Sequence, residues 1–273
     1  MQPMANIGLR AARQASTIML RALDNLEGLK VEEKARNDFV SQVDRDTEAV
    51  IIEALHKAYP DHAITGEEHG TAISASNGSE YTWIIDPLDG TTNYLQGIPH
   101  YCISIAVMRG RHIEHGVIVD PLKNDEFVGS RGCGAQLNGK RIRVNPVKHL
   151  EDALLVTGLP PGSVEGDLDR YLAQLKHFMA ACRAVRRMGS AALDLAYVAA
   201  GRSDGFWEFG LKPWDIAAGA LLIREAGGFV GDLDGGDDFL DSGAVVAANP
   251  RLFKLMIQVI RLAGRDAGPG REE

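Results

Sequence analysis

Apolar residues recur at helical spacing in two stretches near the start of the chain: Met4, Ile7, Ala11, Ala15, Ile18 and Ala22, then Val43, Thr47, Val50, Ile51, Ala54, Leu55 and Ala58. A period near 3.6 with polar residues between predicts two amphipathic helices. From Tyr81 to Val144 the pattern changes to short β-rich runs, YTWIID, YCISIAVMR, HIEHGVIVD and DEFVGS. They are followed by QLNGKRIRV, whose Asn138-Gly139 pair suits a type I′ hairpin. Strands that follow one another with no helix between them predict an antiparallel sheet.

After Pro146 helices and strands alternate. The pattern predicts a helix over Asp167 to Ala181, a short run at Ala184 to Arg186, a small-residue helix from Ala191 to Ala200 and a strand at DGFWEF. A helix from Pro213 to Ala226, ended by Gly227-Gly228, a strand at AVVAA and a last helix from Pro250 complete the series. The expected organisation is an N-terminal α+β half over residues 1–147 and a C-terminal α/β half over 148–264. The tail, 265–273, has few apolar residues with which to dock and is expected to be disordered.

Composition narrows the function classes. The 273 residues are 45% hydrophobic, enough for a sizeable core, and 29 basic against 37 acidic side chains give a formal net charge of −8. That balance argues against a protein-wide surface for nucleic acid or anionic lipid. Three widely spaced cysteines, Cys102, Cys133 and Cys182, form no CxxC pair, which argues against a disulfide framework or thiolate zinc site and fits a reducing compartment. The opening MQPMANIGLRAARQAS has no unbroken apolar run, and no stretch reaches the roughly 18 apolar residues of a membrane span. An unprocessed, cytoplasmic protein is expected.

The candidate chemistry centres on WIIDPLDGTTNY, residues 83–94. A buried apolar strand delivers Asp86 to its end, Pro87 and Gly90 impose a turn, and Asp89 follows three residues on. Thr91 or Thr92 can then cap a helix whose N-terminus favours a phosphate. Two carboxylates with the Leu88 carbonyl between them suit a hard cation such as Mg2+. The same residues also make an ordinary turn and cap. Glu67 and Glu68, after a short strand and Gly66, fit a solvated turn as well as a ligand, and Asp215 in Pro213-Trp214-Asp215 fits a helix first turn equally.

With these residues in view, the sequence resembles the inositol monophosphatase family of lithium-sensitive, magnesium-dependent phosphatases. WIIDPLDGTTNY and WDIAAGALLIREAGG (214–228) match two family signatures, while DFVSQVDRDTE (38–48) and GEE (66–68) match two further landmarks in order and spacing. The likeness runs from about residue 4 to 262. RRMGSAALDLAYVAAGRSDGFWEFGLKPWD (186–215) is most similar to a bacterial branch of the family.

The resemblance implies a layered α-β-α-β-α sandwich of α+β class that dimerises. It implies that Glu67, Asp86 and the Leu88 carbonyl hold one Mg2+, that Asp86, Asp89 and Asp215 hold a second, and that Glu67 and waters hold a third, weaker ion. By the same resemblance Mn2+ would substitute and Li+ would inhibit. Thr91 and Asp44 would activate the attacking water, with Glu67 part of the same catalytic group. Asp89, Gly90 and Thr91 would meet the phosphate, and Gly189, Ser190, Ala191, Glu208 and Asp215 the polyol. No counterpart for a further hydroxyl contact is evident between Leu159 and Val164.

The implied reaction is hydrolysis of inositol 1-phosphate and related polyol phosphates. The alternatives are a family phosphatase for fructose 1,6-bisphosphate, adenosine 3′,5′-bisphosphate or histidinol phosphate, or a mainly regulatory binding protein. The bacterial branch also acts with RNA polymerase and antitermination factors on ribosomal RNA transcription, so that machinery is a second implied partner. Carboxylates about 4 Å apart repel by roughly 4 kcal/mol per pair at an effective dielectric near 20, so a metal-free cluster is expected to be loosely held or partly protonated, a cost that divalent cations reverse. No nucleophilic Cys or His motif calls for a covalent intermediate.

Other acidic and basic runs read as structural. DLDGGDDFLD (232–241) has Asp237 where a calcium loop needs glycine, so an acidic surface turn is expected. His100 lies near the main signature but is expected to pack. Arg183, Arg186 and Arg187 fit either a charge-protected edge strand or, by resemblance, a dimer contact.

Overall fold

Helix α1 (Pro3–Ala22) forms where the first periodic stretch predicts it, but its buried stripe is rotated by about one position. Ala5, Leu9, Ala12, Ala15 and Met19 face inward, while Met4, Ile7 and Ile18 are only half-buried. The small inward side chains let the helix lie close on the sheet beneath it. The structure, a computed structural model, describes residues 1–28, 31–35, 38–159 and 165–266. Residues 160–164 of the loop noted above and 267–273 of the expected tail lie outside the described residues.

A hairpin of β1 (Val31–Ala35) and β2 (Asp38–Ser41) leads into α2 (Gln42–Ala58). Ser41 caps that helix: its hydroxyl accepts the Val43 N–H, and its own N–H donates to the Asp44 carboxylate at 2.8 Å. The inward face of α2 carries Val43, Ile51 and Leu55, and also the carboxylates of Asp44 and Glu48, one helical turn apart.

The first sheet comprises β3 (Ala63–Gly66), β4 (Gly70–Ile73), β5 (Tyr81–Asp89), β6 (Cys102–Arg109), β7 (His112–Asp120), β8 (Asp125–Ser130), β9 (Gly134–Leu137) and β10 (Lys140–Arg141). Their order is β10-β9-β8-β7-β6-β5-β3-β4. The expected antiparallel meander accounts for β5 to β10, but β3 lies parallel to β5, with Gly66 opposite Ile85. Between β5 and β6 runs the one-turn helix α3 (Thr91–Leu95).

The second sheet comprises β11 (Leu154–Thr157), β12 (Ala184–Arg186), β13 (Gly205–Glu208), β14 (Phe229–Gly231) and β15 (Val245–Ala248), in the order β12-β11-β13-β15-β14. β12, β11 and β13 are parallel and the last two pairings antiparallel. The apolar pattern did not mark β11 or β14. The helices here are α4 (Glu165–Ala181), α5 (Ala191–Ala199), α6 (Pro213–Glu225), the short α7 (Phe239–Ser242) and α8 (Pro250–Asp266). Arg186 stands on the edge strand β12, as the charge-protected reading expects.

Side-chain alternation stacks these elements into layers. On β6, Ile103, Ile105 and Val107 pack toward α1 and α2, whereas Cys102, Ala106 and Met108 pack toward α5 and α6. With both faces covered, the strand reads as a continuous apolar run. α5 and α6 also bury Phe206, Val245 and Ala247 of the second sheet, whose other face, with Trp207, Val246 and Ala248, is covered by Phe178 of α4 and Leu252 and Met256 of α8. The order is helices, sheet, helices, sheet, helices: the expected α-β-α-β-α sandwich of α+β class. Asn249 ties the connection between sheets, its amide donating to the carbonyls of Asn145 and Val147. No described helix is long and apolar enough to cross a membrane.

Candidate active site

The strand β5 does not turn after Asp86, as the sequence led us to expect, but continues through a bulge to Asp89. Asp86 lies opposite Ser104 and Asp89 opposite Cys102, so three steps along β5 face two along β6. On a regular strand, side chains three apart point to opposite faces; one extra residue turns both carboxylates the same way. Ser104 also donates to the carbonyl of Trp214 at 3.0 Å, which ties the start of α6 to β6 beside Asp86. Asp215 follows in the first turn of α6, its carboxylate accepting the Lys212 N–H at 2.7 Å. Asp86, Asp89 and Asp215 thereby each offer an oxygen within 4.8 Å of the others, the one such acidic group found among the described residues.

Burial raises the proton affinity of all three, and repulsion from neighbouring acids adds to it at Asp86 and Asp215. Asp86 is pushed well above the ordinary carboxylate range by burial, then by the charges of Glu67, Asp89 and Asp215. Asp215 is pushed well up by burial and then by Asp89, partly opposed by the Lys212 N–H. Asp89 is raised by burial but relieved by the Ser190 hydroxyl and the Ala192 N–H, each 2.7 Å from its Oδ2. Glu67 sits close enough for its charge to act on Asp86 and Asp215, although it is not one of the three converging acids. An all-oxygen set that opposes its own ionisation fits a hard divalent cation, which would remove the repulsion.

Gly90, not a threonine, precedes α3, at a φ of 98° that a side chain rarely adopts. A Cβ there would also lie 3.1 Å from the carbonyl oxygens of Gly189 and His100. Thr91 is thus the first residue inside α3 and is freed from capping: its Oγ1 lies 3.0 Å from Asp44 Oδ1 and 3.1 Å from the Leu88 carbonyl. Asp44 is 2% exposed, and its pKa is raised by burial against the opposing hydrogen bonds of Ser41 and Thr91.

Of the expected polyol contacts, Gly189, Ser190 and Ala191 lie at the start of α5, where Ser190 already donates to Asp89. Glu208, at the end of β13, is buried; desolvation and then the charges of Asp194, Asp215 and Asp89 hold its pKa well up, with Arg187 opposing. The structure therefore brings Asp86, Asp89 and Asp215 together, with Ser190 bonded to Asp89, Thr91 bonded to Asp44 and the Leu88 carbonyl, and the charges of Glu67 and Glu208 close enough to act within the same cluster. Cys102 borders it, 3.7 Å from Ser190, but burial and the neighbouring aspartates keep its thiol protonated.

Several supporting residues escaped sequence reading. Asn93 donates to the carbonyls of His100 and Met188, joining α3 to the loop before Ser190. His100 bonds Asp194 at 2.9 Å; burial lowers the histidine to about 4 and raises the aspartate. The spacing of Ser41 and Asp44 was a legible capping signal. Nothing in sequence marks the His100–Asp194 contact, because the partners are distant along the chain. Asp232 in the acidic run accepts the N–H groups of Asp234 and Gly236, each at 2.8 Å, as an acidic turn does.

Comparison with known proteins gives consistent matches. The sequence profile of the inositol monophosphatase family matches residues 1–264. The chain is 50% identical over 262 residues to a Pseudomonas aeruginosa protein named Nus factor SuhB, covering 96% of this chain and 97% of that one. Its structure resembles the extragenic suppressor protein SuhB of Bartonella henselae with a TM-score of 0.89 at 40% identity, covering 95% of this chain and 99% of the other. It also resembles an inositol monophosphatase from Anabaena with a TM-score of 0.82 at 35% identity, covering 96% of each chain.

Proposed function

The chain belongs to the inositol monophosphatase family, and on that basis we propose that it hydrolyses inositol 1-phosphate and related polyol phosphates with Mg2+. The observation that carries this reading is the convergence of Asp86, Asp89 and Asp215 beside the Thr91–Asp44 pair. Glu67, Asp86 and the Leu88 carbonyl would hold one Mg2+, Asp86, Asp89 and Asp215 a second, and Glu67 with waters a third; Mn2+ would serve in their place and Li+ would inhibit. When bound, these ions lower the pKa of water and neutralise charge on the reacting phosphate.

The chain's own part is orientation and proton handling. A hydroxyl has one proton, and Thr91 can give it to Asp44 or to the Leu88 carbonyl. With Asp44 accepting it, the lone pairs of Oγ1 are turned outward to take a proton from the attacking water. The Gly90 and Thr91 amides would fix the phosphate, as Asp89 would do through its metal. Gly189, Ser190, Ala191 and Glu208 would line the alcohol, with Asp215 close by.

Release of inorganic phosphate from a panel of polyol, sugar and nucleotide phosphates, with and without Mg2+, tests the proposal. Magnesium-dependent turnover of inositol 1-phosphate supports it, and preference for fructose 1,6-bisphosphate would move the substrate to a relative's. No release from any polyol phosphate would overturn the enzyme reading.

Full-length likeness to a protein named Nus factor favours a second role with RNA polymerase and antitermination factors. Co-purification of those proteins with an Asp86→Asn variant would separate that role from hydrolysis. Homodimer formation belongs to the same reading, supported by Leu168, Leu172 and Met179, which stand exposed along α4; analytical ultracentrifugation would measure it.

A further inference from the structure

Two carboxylates on the inward face of α2 are buried, and only one meets the threonine. Glu48, one turn beyond Asp44, is 0% exposed, yet it bonds none of the three converging aspartates. Its Oε1 accepts the Glu68 N–H at 3.1 Å, its Oε2 accepts the His69 N–H at 3.0 Å, and the His69 ring nitrogen Nδ1 contacts the same oxygen. A buried carboxylate is costly unless hydrogen-bonded, and here the turn after β3 supplies every partner named.

The turn is built to admit it. A Cβ on Gly66 would fall 1.8 Å from Glu48 Oε1, so only glycine leaves space for the carboxylate. Glu67, the next residue, donates its own N–H to the Ile85 carbonyl at 3.1 Å, one residue before Asp86. Its backbone is therefore gripped on both sides: β5 holds its amide, and Glu48 holds the following two.

We propose that Glu48 is a positioning residue that clamps the 66–69 turn so that Glu67 faces the aspartate cluster with its geometry set before a cation arrives. This rests on the reading of Glu67 as a metal ligand. Through Asp44 and Glu48, one helix then fixes both the group that orients water and the acid that completes the cation site.

The test is Glu48→Gln in the full chain, which keeps the size of the side chain but sets an NH2 group against an amide donor. Mn2+ binding without substrate is measured by calorimetry, amide exchange at residues 68 and 69 by mass spectrometry, and Mg2+-dependent phosphate release by kinetics. Loss of an orienting partner weakens metal binding by about 10–100-fold. The expected result is a shift of that size in Mn2+ affinity and half-saturating Mg2+, faster exchange at both amides, and kcat at saturating metal close to wild type. Wild-type Mn2+ affinity in this variant would overturn the proposal.

If Glu48→Gln does not fold, His69→Ala takes its place, since that side chain is 47% exposed. It should weaken Mn2+ binding several-fold, and unchanged affinity overturns the clamp. Glu67→Gln is the control. Unchanged Mn2+ affinity there refutes Glu67 as a ligand and the clamp with it, whereas weakened binding there with wild-type binding in Glu48→Gln refutes the clamp alone.

Discussion

The hydroxyl of Thr91 stands 3.0 Å from Oδ1 of Asp44, two residues 47 positions apart in the chain. The same aspartate closes the cap of α2 through its other oxygen, which takes both the Ser41 N–H and, at 2.5 Å, the Ser41 hydroxyl. A helix terminus and the proposed water-orienting pair thus share one carboxylate. Thr91→Val should lower kcat by about 10²- to 10⁴-fold with little loss of stability. Asp44→Asn should cost a similar factor and also about 0.5–2 kcal/mol of stability, because the cap weakens. Phosphate release and urea denaturation of the two variants separate the effects.

Asp215→Asn should make the metal-free protein more stable while removing activity. The amide oxygen can still accept the Lys212 N–H, while burial no longer opposes a charge at this position and the repulsion with Asp89 is gone. Calorimetry in a chelator should show the variant melting above wild type, and added Mg2+ should raise its melting temperature less. A lower melting temperature in chelator would contradict the repulsion inferred here.

The sign of the pH dependence follows from the same groups. Asp86, Asp89 and Asp215 hold protons more tightly folded than unfolded, so their stabilising contribution is complete at low pH and is lost as pH rises through the raised values. Bound Mg2+ cancels that loss. The gain in melting temperature on adding Mg2+ should therefore grow as pH rises through those raised values, read as the difference from an Asp86→Asn variant so that histidines titrating near about 6.5 cancel.

His100 acts in the opposite direction. Its pKa falls to about 4 in the folded protein, so its contribution is present above the unfolded histidine range and is lost as pH falls from there toward 4. The loss should approach roughly 3 kcal/mol at the acid end. His62 and His115 shift in the same sense, so the His100 share is read as a difference. Unfolding free energies of wild type and His100→Gln across that range should converge as the pH drops.

Gly90→Ala should destabilise the fold by about 1–3 kcal/mol, through the positive φ and the close carbonyls of Gly189 and His100. It should also impair catalysis, because the same backbone aims Thr91. A denaturation midpoint and a kcat measured on one preparation give both effects.

The sequence by itself determined the inventory. Periodicity located both N-terminal helices, the meander from Tyr81 to Arg141 and most of the later alternation, and the signatures pointed to the family and to three aspartates that the structure brings together. Local pattern suffices there because helix and strand periods are local properties of the chain. Only the tertiary structure decided how Asp86 and Asp89 come to share a face, since a bulge is defined against the neighbouring strand and cannot be read from one strand alone. The same holds for Glu48, whose partners are about twenty residues away, and for Asp194, which meets His100 from another layer. Burial sets the proton affinities of the site, and burial exists only once the layers have closed around it.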